Sequence, residues 1–321
     1  MSRPRPLATF LALAAVFSIG AGAALWPQVT PRSKVANFSI AARGATVMEG
    51  DRWIVSPPDA ARLVAEGAIV LDARPSGLFV RREIANAVPF DWTEFARTDF
   101  PHQGQLLADD TLLAQKLQAL GIDRGRPAIV VGDATAGWGQ DGRAVWMLRT
   151  LGHEHAVMVD GGYDALVAAG VTAAAMPPAI GNFTVQRRSQ WTIERDTLQA
   201  RFDSADVVVL DARTSAEYSG ATPHRERLGG HVPGARSLHY REFLTESGKL
   251  VPEAEIRERL EEVGIVPSTP IATYCTGGVR SAWLTVVLAD LGYTVQNYAG
   301  SMWEWSAAPA AEYPLVRGKD E

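Results

Sequence analysis

Two stretches of this chain carry the same signals in the same order, and this duplication limits the fold more than any other feature. The first opens with Trp53-Ile54-Val55-Ser56, runs through a helix-type segment to Glu66, and reaches Ala68-Ile69-Val70-Leu71-Asp72-Ala73-Arg74. The second opens with Trp191-Thr192-Ile193-Glu194 and, after a similar segment, reaches Val207-Val208-Val209-Leu210-Asp211-Ala212-Arg213. Further on, Gly104-Gln105-Leu106 corresponds to Gly248-Lys249-Leu250, and Leu120-Gly121-Ile122 to Val263-Gly264-Ile265. The apolar run Pro127-Ala128-Ile129-Val130-Val131 matches Pro270-Ile271-Ala272-Thr273-Tyr274. Then Leu151-Gly152-His153 matches Leu291-Gly292-Tyr293, and Val159-Asp160-Gly161 matches Tyr298-Ala299-Gly300. Separations of 138 to 144 residues mean two copies of one domain, not a solenoid repeat.

Each copy alternates short β-branched runs with amphipathic helical runs. Leu112, Leu113, Leu117 and Leu120 fall at helical spacing, as do Ile256, Leu260 and Val263. Short apolar strands between helices predict an α/β fold in which each domain is a mainly parallel sheet with helices on both faces. The domains are expected at 47–172 and 189–317. Residues 173–188, which include Ala173-Ala174-Ala175-Met176-Pro177-Pro178, read as a linker.

The chain has 321 residues, 47% hydrophobic and 21% charged, with a net charge of −5. That is a folded chain with no basic footprint, so nucleic acid is not an expected partner. Its single cysteine excludes an internal disulfide and a cysteine-based metal site. His153 and His155 lack a third ligand nearby and read as surface residues beside a turn. Residues 1–28 read as a targeting segment: Arg3 and Arg5 precede an uncharged run from Leu7 to Leu25. It is either an export signal cleaved near Ala23 or an N-terminal membrane anchor, since the run is long enough to span a bilayer. Both predict an exported, periplasmic or extracytoplasmic body.

The segment with most chemistry is Tyr274-Cys275-Thr276-Gly277-Gly278-Val279-Arg280-Ser281, where an apolar strand delivers a thiol into a glycine-rich turn ahead of a helix from Ala282 to Leu291. Backbone N–H groups, the positive end of a helix and a nearby guanidinium all favour thiolate. A buried cysteine acting as a small hydrophobe is the alternative, against which the polar, glycine-rich neighbours argue. In a parallel sheet, functional loops lie beyond the carboxyl ends of strands. Asp133 takes the corresponding place in the first copy, so that copy is expected to be inert.

The ordered set of Leu-Asp-Ala-Arg in both halves, Gly230-His231-Val232-Pro233-Gly234-Ala235, Gly248-Lys249-Leu250-Val251-Pro252, the cysteine loop and Gly300-Ser301-Met302-Trp303-Glu304-Trp305 resembles the two-domain rhodanese family of sulfurtransferases. The resemblance spans Trp53 to Pro314. It implies two rhodanese-like domains, the first inert, with the site in the cleft between them. It implies catalysis by Cys275, with Thr276, Gly277, Gly278, Val279 and Arg280 forming a cradle for substrate, and no metal or organic cofactor. The partners are a small-molecule sulfur donor, thiosulfate first, and a thiophilic acceptor such as cyanide or a thiol; no protein acceptor is identifiable.

The loop departs from the family's familiar patterns. Thr276 and Gly277 stand where animal thiosulfate enzymes carry basic residues, and Glu217 stands where a substrate-binding arginine is expected. Arg280 is therefore expected to meet the donor's anionic end, the alternative being a structural arginine paired with a carboxylate. Asp211 and Arg213 either line the cleft or pair locally below it. His231 reads as structural, and Trp138 as facing the second domain's cleft. Three other functions remain: a 3-mercaptopyruvate sulfurtransferase, a persulfide carrier serving a partner protein, and a cysteine phosphatase. The last needs Cys-x5-Arg, and this chain has Cys-x4-Arg.

Overall fold

The computed structural model describes residues 52–78, 83–203 and 206–318. The targeting segment read from residues 1–28 lies outside them.

The first domain runs β1 (Ile54–Val55), α1 (Pro57–Ala65), β2 (Ile69–Asp72), β3 (Val88–Pro89), α2 (Asp110–Ala119), β4 (Ala128–Val131), α3 (Gln140–Thr150), β5 (Ala156–Val159) and α4 (Gly162–Ala168). Its five strands are ordered β1-β5-β4-β2-β3 and all pair in parallel. Helix α1 begins where the sequence dictates: Ser56 caps it by accepting from the Asp59 N–H, and two prolines follow at positions that need no donor. The strands read as unbroken apolar runs because both faces are covered. Ile69, Leu71 and Val130 face α2 and α3, while Val70, Ile129 and Val131 face α1 and α4.

The second domain repeats the plan with α5 (Arg195–Asp203), β6 (Val208–Asp211), α6 (Ser215–Ser219), β7 (Arg236–Ser237), α7 (Glu253–Glu262), β8 (Ile271–Tyr274), α8 (Arg280–Asp290), β9 (Val295–Asn297) and α9 (Ser301–Trp305). Its parallel sheet has the order β7-β6-β8-β9. The match to β1, Trp191-Thr192-Ile193, is reduced to a single parallel bridge between Thr192 and Asn297.

Helices α3 and α8 pack on each other, so the two domains share one hydrophobic core that contains Val145, Trp146, Trp283 and Val286. Every described residue of α3 from Asp141 onward is buried, because the helix lies between its own sheet and the neighbouring domain. Gly142 makes the close approach: a Cβ there would lie 2.5 Å from the Trp283 backbone. The 173–188 segment is docked rather than loose. Its Gly181 and Gln186 N–H groups donate to Gln118 and Leu151 carbonyls, and Phe183 is buried in the core.

Candidate active site at the end of strand β8

Strand β8 ends one residue before Cys275, the only free cysteine among the described residues. Its thiol is 2% exposed, which departs from the expectation drawn from its polar neighbours. The loop is tight enough to wrap the sulfur. Gly277 lies where any Cβ would sit 2.2 Å from the Trp303 ring. Gly278 takes a φ of +76°, and a Cβ there would lie 2.6 Å from the Ala299 carbonyl oxygen. The loop is tied down from α9: Met302 N–H donates to the Cys275 carbonyl, and the Cys275 N–H donates to Ser301 Oγ at 3.1 Å.

Burial pushes the Cys275 thiol up, but opposing contributions outweigh it and hold the thiol below its ordinary value. These come from the Arg280 charge, the Ser281 hydroxyl, which lies 3.5 Å from Sγ, and the backbone N–H groups of Ser281 and Gly277. The arrangement stabilises an anion on sulfur at a strand-to-helix turn.

Arg280 is committed to side chains of its own domain. Its NH1 donates to Glu217 Oε2 at 2.8 Å, and its NH2 donates to Glu217 Oε1 at 2.7 Å and Thr276 Oγ1 at 2.8 Å. The sequence expectation of a substrate-facing arginine is corrected on this point, because α6 brings a carboxylate within reach of both nitrogens. Glu217 is pinned in turn by a capping box, accepting from the Thr214 N–H and hydroxyl. Burial raises its pKa, but Arg280 and Thr214 dominate and bring it to about 2. Thr276 and Glu226 continue the network, Thr276 Oγ1 lying 3.2 Å from Glu226 Oε1.

Thr276, Gly277 and Gly278 are buried in the loop, and Val279 is half-buried at the start of α8. Trp138 stands where the sequence suggested, on the first domain's loop. It is 46% exposed, its ring is 5.5 Å from the Arg280 guanidinium carbon, and its edge meets His224 at 4.8 Å.

Asp211 and Arg213 do not line a cleft, since both are 0% exposed. Arg213 pairs with Asp211 at 2.6 Å and donates to the Gly230 carbonyl, while Tyr274 Oη donates to Asp211 at 2.6 Å. They fasten the ends of β6 and β8 to the loop beyond. Arg74 and Asp72 repeat the pair in the first domain. His231 is structural: it stacks on Tyr218 at 3.6 Å, with Nδ1 2.9 Å from the Tyr218 carbonyl. His153, expected at the surface, is fully buried beside Phe183, and burial takes its pKa down to about 4.

The register also moves the first domain's counterpart of the cysteine. Asp211 pairs with Tyr274 and Asp72 with Val131, so Gly132, not Asp133, stands in the place of Cys275. A Cβ at Gly132 would meet the Asp141 carboxyl at 2.7 Å. Asp141 and Ser281 are each the second residue of their helices, so a carboxyl fills the first domain's sulfur seat. Burial raises that carboxyl's pKa to about 6. The loop 132–139 outruns the loop 275–279, and Asp133 folds it on itself by accepting from the Thr135 and Ala136 N–H groups. Sequence reasoning missed Ser281 and Arg143 as site residues. The signal for Arg143 was an arginine following the first domain's glycine-rich loop, as Arg280 follows the second's.

The Rhodanese-like domain family matches the chain twice, at residues 56–169 and 194–308. A thiosulfate sulfurtransferase of Pseudomonas aeruginosa is 32% identical over 265 residues, covering 80% of this chain and 94% of that protein. A thiosulfate sulfurtransferase of Azotobacter vinelandii is 33% identical over 184 residues, 56% of this chain and 67% of the other. Among solved structures, the Tum1 protein of Saccharomyces cerevisiae superposes with a TM-score of 0.71 at 19% identity, covering 84% of this chain and all of that one.

Proposed function

The chain belongs to the rhodanese family as a tandem-domain sulfurtransferase, and on that premise we propose that thiosulfate is its sulfur donor and Cys275 the residue that carries the sulfur. The observation that supports this most is the thiol at the end of β8, held below its ordinary pKa by Arg280, Ser281 and the loop amides. The thiolate attacks the outer sulfur of thiosulfate. The bond between the two donor sulfurs breaks, and sulfite leaves with the electron pair. Cys275 then carries a persulfide, whose negative outer sulfur lies in the amide-lined loop. Cyanide or a thiolate attacks that outer sulfur, leaves as thiocyanate or a persulfide, and returns Cys275 to the thiolate.

The relatives' activity on thiosulfate supports the choice of donor. In this reading the first domain is scaffold and mouth: Gly132 stands in the cysteine's place, and Trp138 roofs Arg280. Arg3, Arg5 and the apolar run after them support an exported, periplasmic enzyme, cleaved or anchored at its N-terminus. Intact-mass measurement after incubation with thiosulfate, and separately with 3-mercaptopyruvate, tests the reading. One added sulfur per chain from thiosulfate is expected, and a chain charged by 3-mercaptopyruvate alone would overturn the donor.

A further inference from the structure

Glu217 offsets part of the Arg280 charge beside the thiolate, and the first domain holds a second guanidinium against the cysteine loop. Arg143 on α3 is 0% exposed and has no carboxylate partner among the described residues. Its NH1 donates across the domain boundary to the Gly278 carbonyl of the cysteine loop at 3.0 Å, and its NH2 donates to the Gly104 carbonyl. Its Nε has no hydrogen-bond partner among the described residues. The guanidinium carbon lies 4.6 Å from the centre of the Trp146 ring and 5.2 Å from that of Trp92. A buried, unpaired cation is costly, and a protein keeps one where an anion forms nearby.

The duplication sharpens the point. Gln140 opens α3 as Arg280 opens α8, so the first domain lacks the loop arginine. It carries an arginine three residues further on instead, at the position of Trp283, turned into the partner domain. The other charged groups around Cys275 are ion-paired or hydrogen-bonded to other neighbours. Glu217 is paired with Arg280, and Asp211 with Arg213. Glu226 takes the Thr276 hydroxyl and the His224 N–H, and Glu304 takes the Tyr298 hydroxyl, with His102 3.8 Å away. His224 lies 3.7 Å from Glu217 and is half-buried, and burial lowers the pKa of His239.

We propose that Arg143 of the non-catalytic domain is a positioning residue for Cys275, fixing the cysteine loop through Gly278 and supplying the uncompensated positive charge behind the thiolate and the persulfide. The charge effect is reciprocal: burial lowers the Arg143 pKa to about 9, and the Cys275 anion is what raises it against that. The inference rests on Cys275 being the sulfur carrier, but its test reads the thiol and not turnover.

The ultraviolet absorbance of the thiolate is followed against pH in the wild type, Arg143→Gln and Arg143→Lys, with Cys275→Ser as the blank. Since Cys275 is the chain's one cysteine, the signal has a single source. The midpoint is expected to rise by about one unit or more in Arg143→Gln, a tenfold loss of thiolate at a pH below both midpoints. A folded Arg143→Gln protein with the wild-type midpoint overturns the proposal. If the Gln variant does not fold, the Lys variant decides. A buried ammonium loses its proton far more readily than a guanidinium, so the pair should titrate in two coupled steps. A single step at the wild-type midpoint overturns the proposal there. Failure of thiosulfate to label Cys275 would sink the donor reading without touching either result.

Discussion

Glu217 and Arg280 form a two-pronged ion pair in the wall of the cysteine loop, at 2.8 Å and 2.7 Å, with both side chains nearly excluded from solvent. The pair spans 63 residues of sequence and joins α6 to α8. It turns the arginine that follows the nucleophile into a brace for the loop.

Glu217→Gln should therefore strand a buried guanidinium, costing about 3–5 kcal/mol of stability. Its pH dependence has a defined sign. The folded-state pKa is depressed from 4.5 to about 2, so the pair's contribution is complete above 4.5 and fades as pH falls towards 2. Denaturant midpoints of wild type and variant across that window check this; curves that stay parallel throughout would contradict it. The freed Arg280 charge should also lower the Cys275 thiol pKa.

Cys275→Ser should take up no sulfur from thiosulfate and make no thiocyanate from cyanide. The hydroxyl that replaces the thiol is not ionised at neutral pH and cannot form a persulfide. Thiocyanate formation at the wild-type rate would remove Cys275 from the chemistry.

Gly277→Ala should disable transfer with a folded body. The added methyl would stand 2.2 Å from the Trp303 ring, so either the ring or the loop must shift. Overpacking of this kind costs about 1–3 kcal/mol. Circular dichroism and single-turnover sulfur transfer separate the two effects, and full activity would mean that the ring yields freely.

A cysteine placed in the first domain at the position that matches Cys275, Gly132→Cys, should not create a second sulfur carrier. Its Cβ would meet the Asp141 carboxyl at 2.7 Å, and a carboxylate beside a thiol raises the thiol's pKa. Persulfide stoichiometry after thiosulfate should stay at one per chain. Two would mean that the first loop still cradles a sulfur.

The expectation that Asp133 stands for the cysteine is one residue out of step. Carrying the match of Pro127–Val131 to Pro270–Tyr274 one residue further sets Gly132, not Asp133, against Cys275. The hydrogen-bond register agrees, and a slip of one residue would turn every side chain to the opposite face. His153 illustrates a limit of pattern reading: a polar residue in a turn signal was read as exposed, and the docked 173–188 segment buries it beneath Phe183.

The duplication, the order of strands and helices and the thiol-bearing loop were determined by the sequence alone. Each is written in local periodicity and glycine placement, which residues a few positions apart decide between them. The tertiary structure alone decided what Arg280 holds and what stands behind Cys275. Glu217 lies 63 residues from Arg280, and Arg143 lies 135 from Gly278. Such side chains meet only because α6 and α3 are packed against α8, and no local pattern encodes which charge a distant helix will bring to that surface.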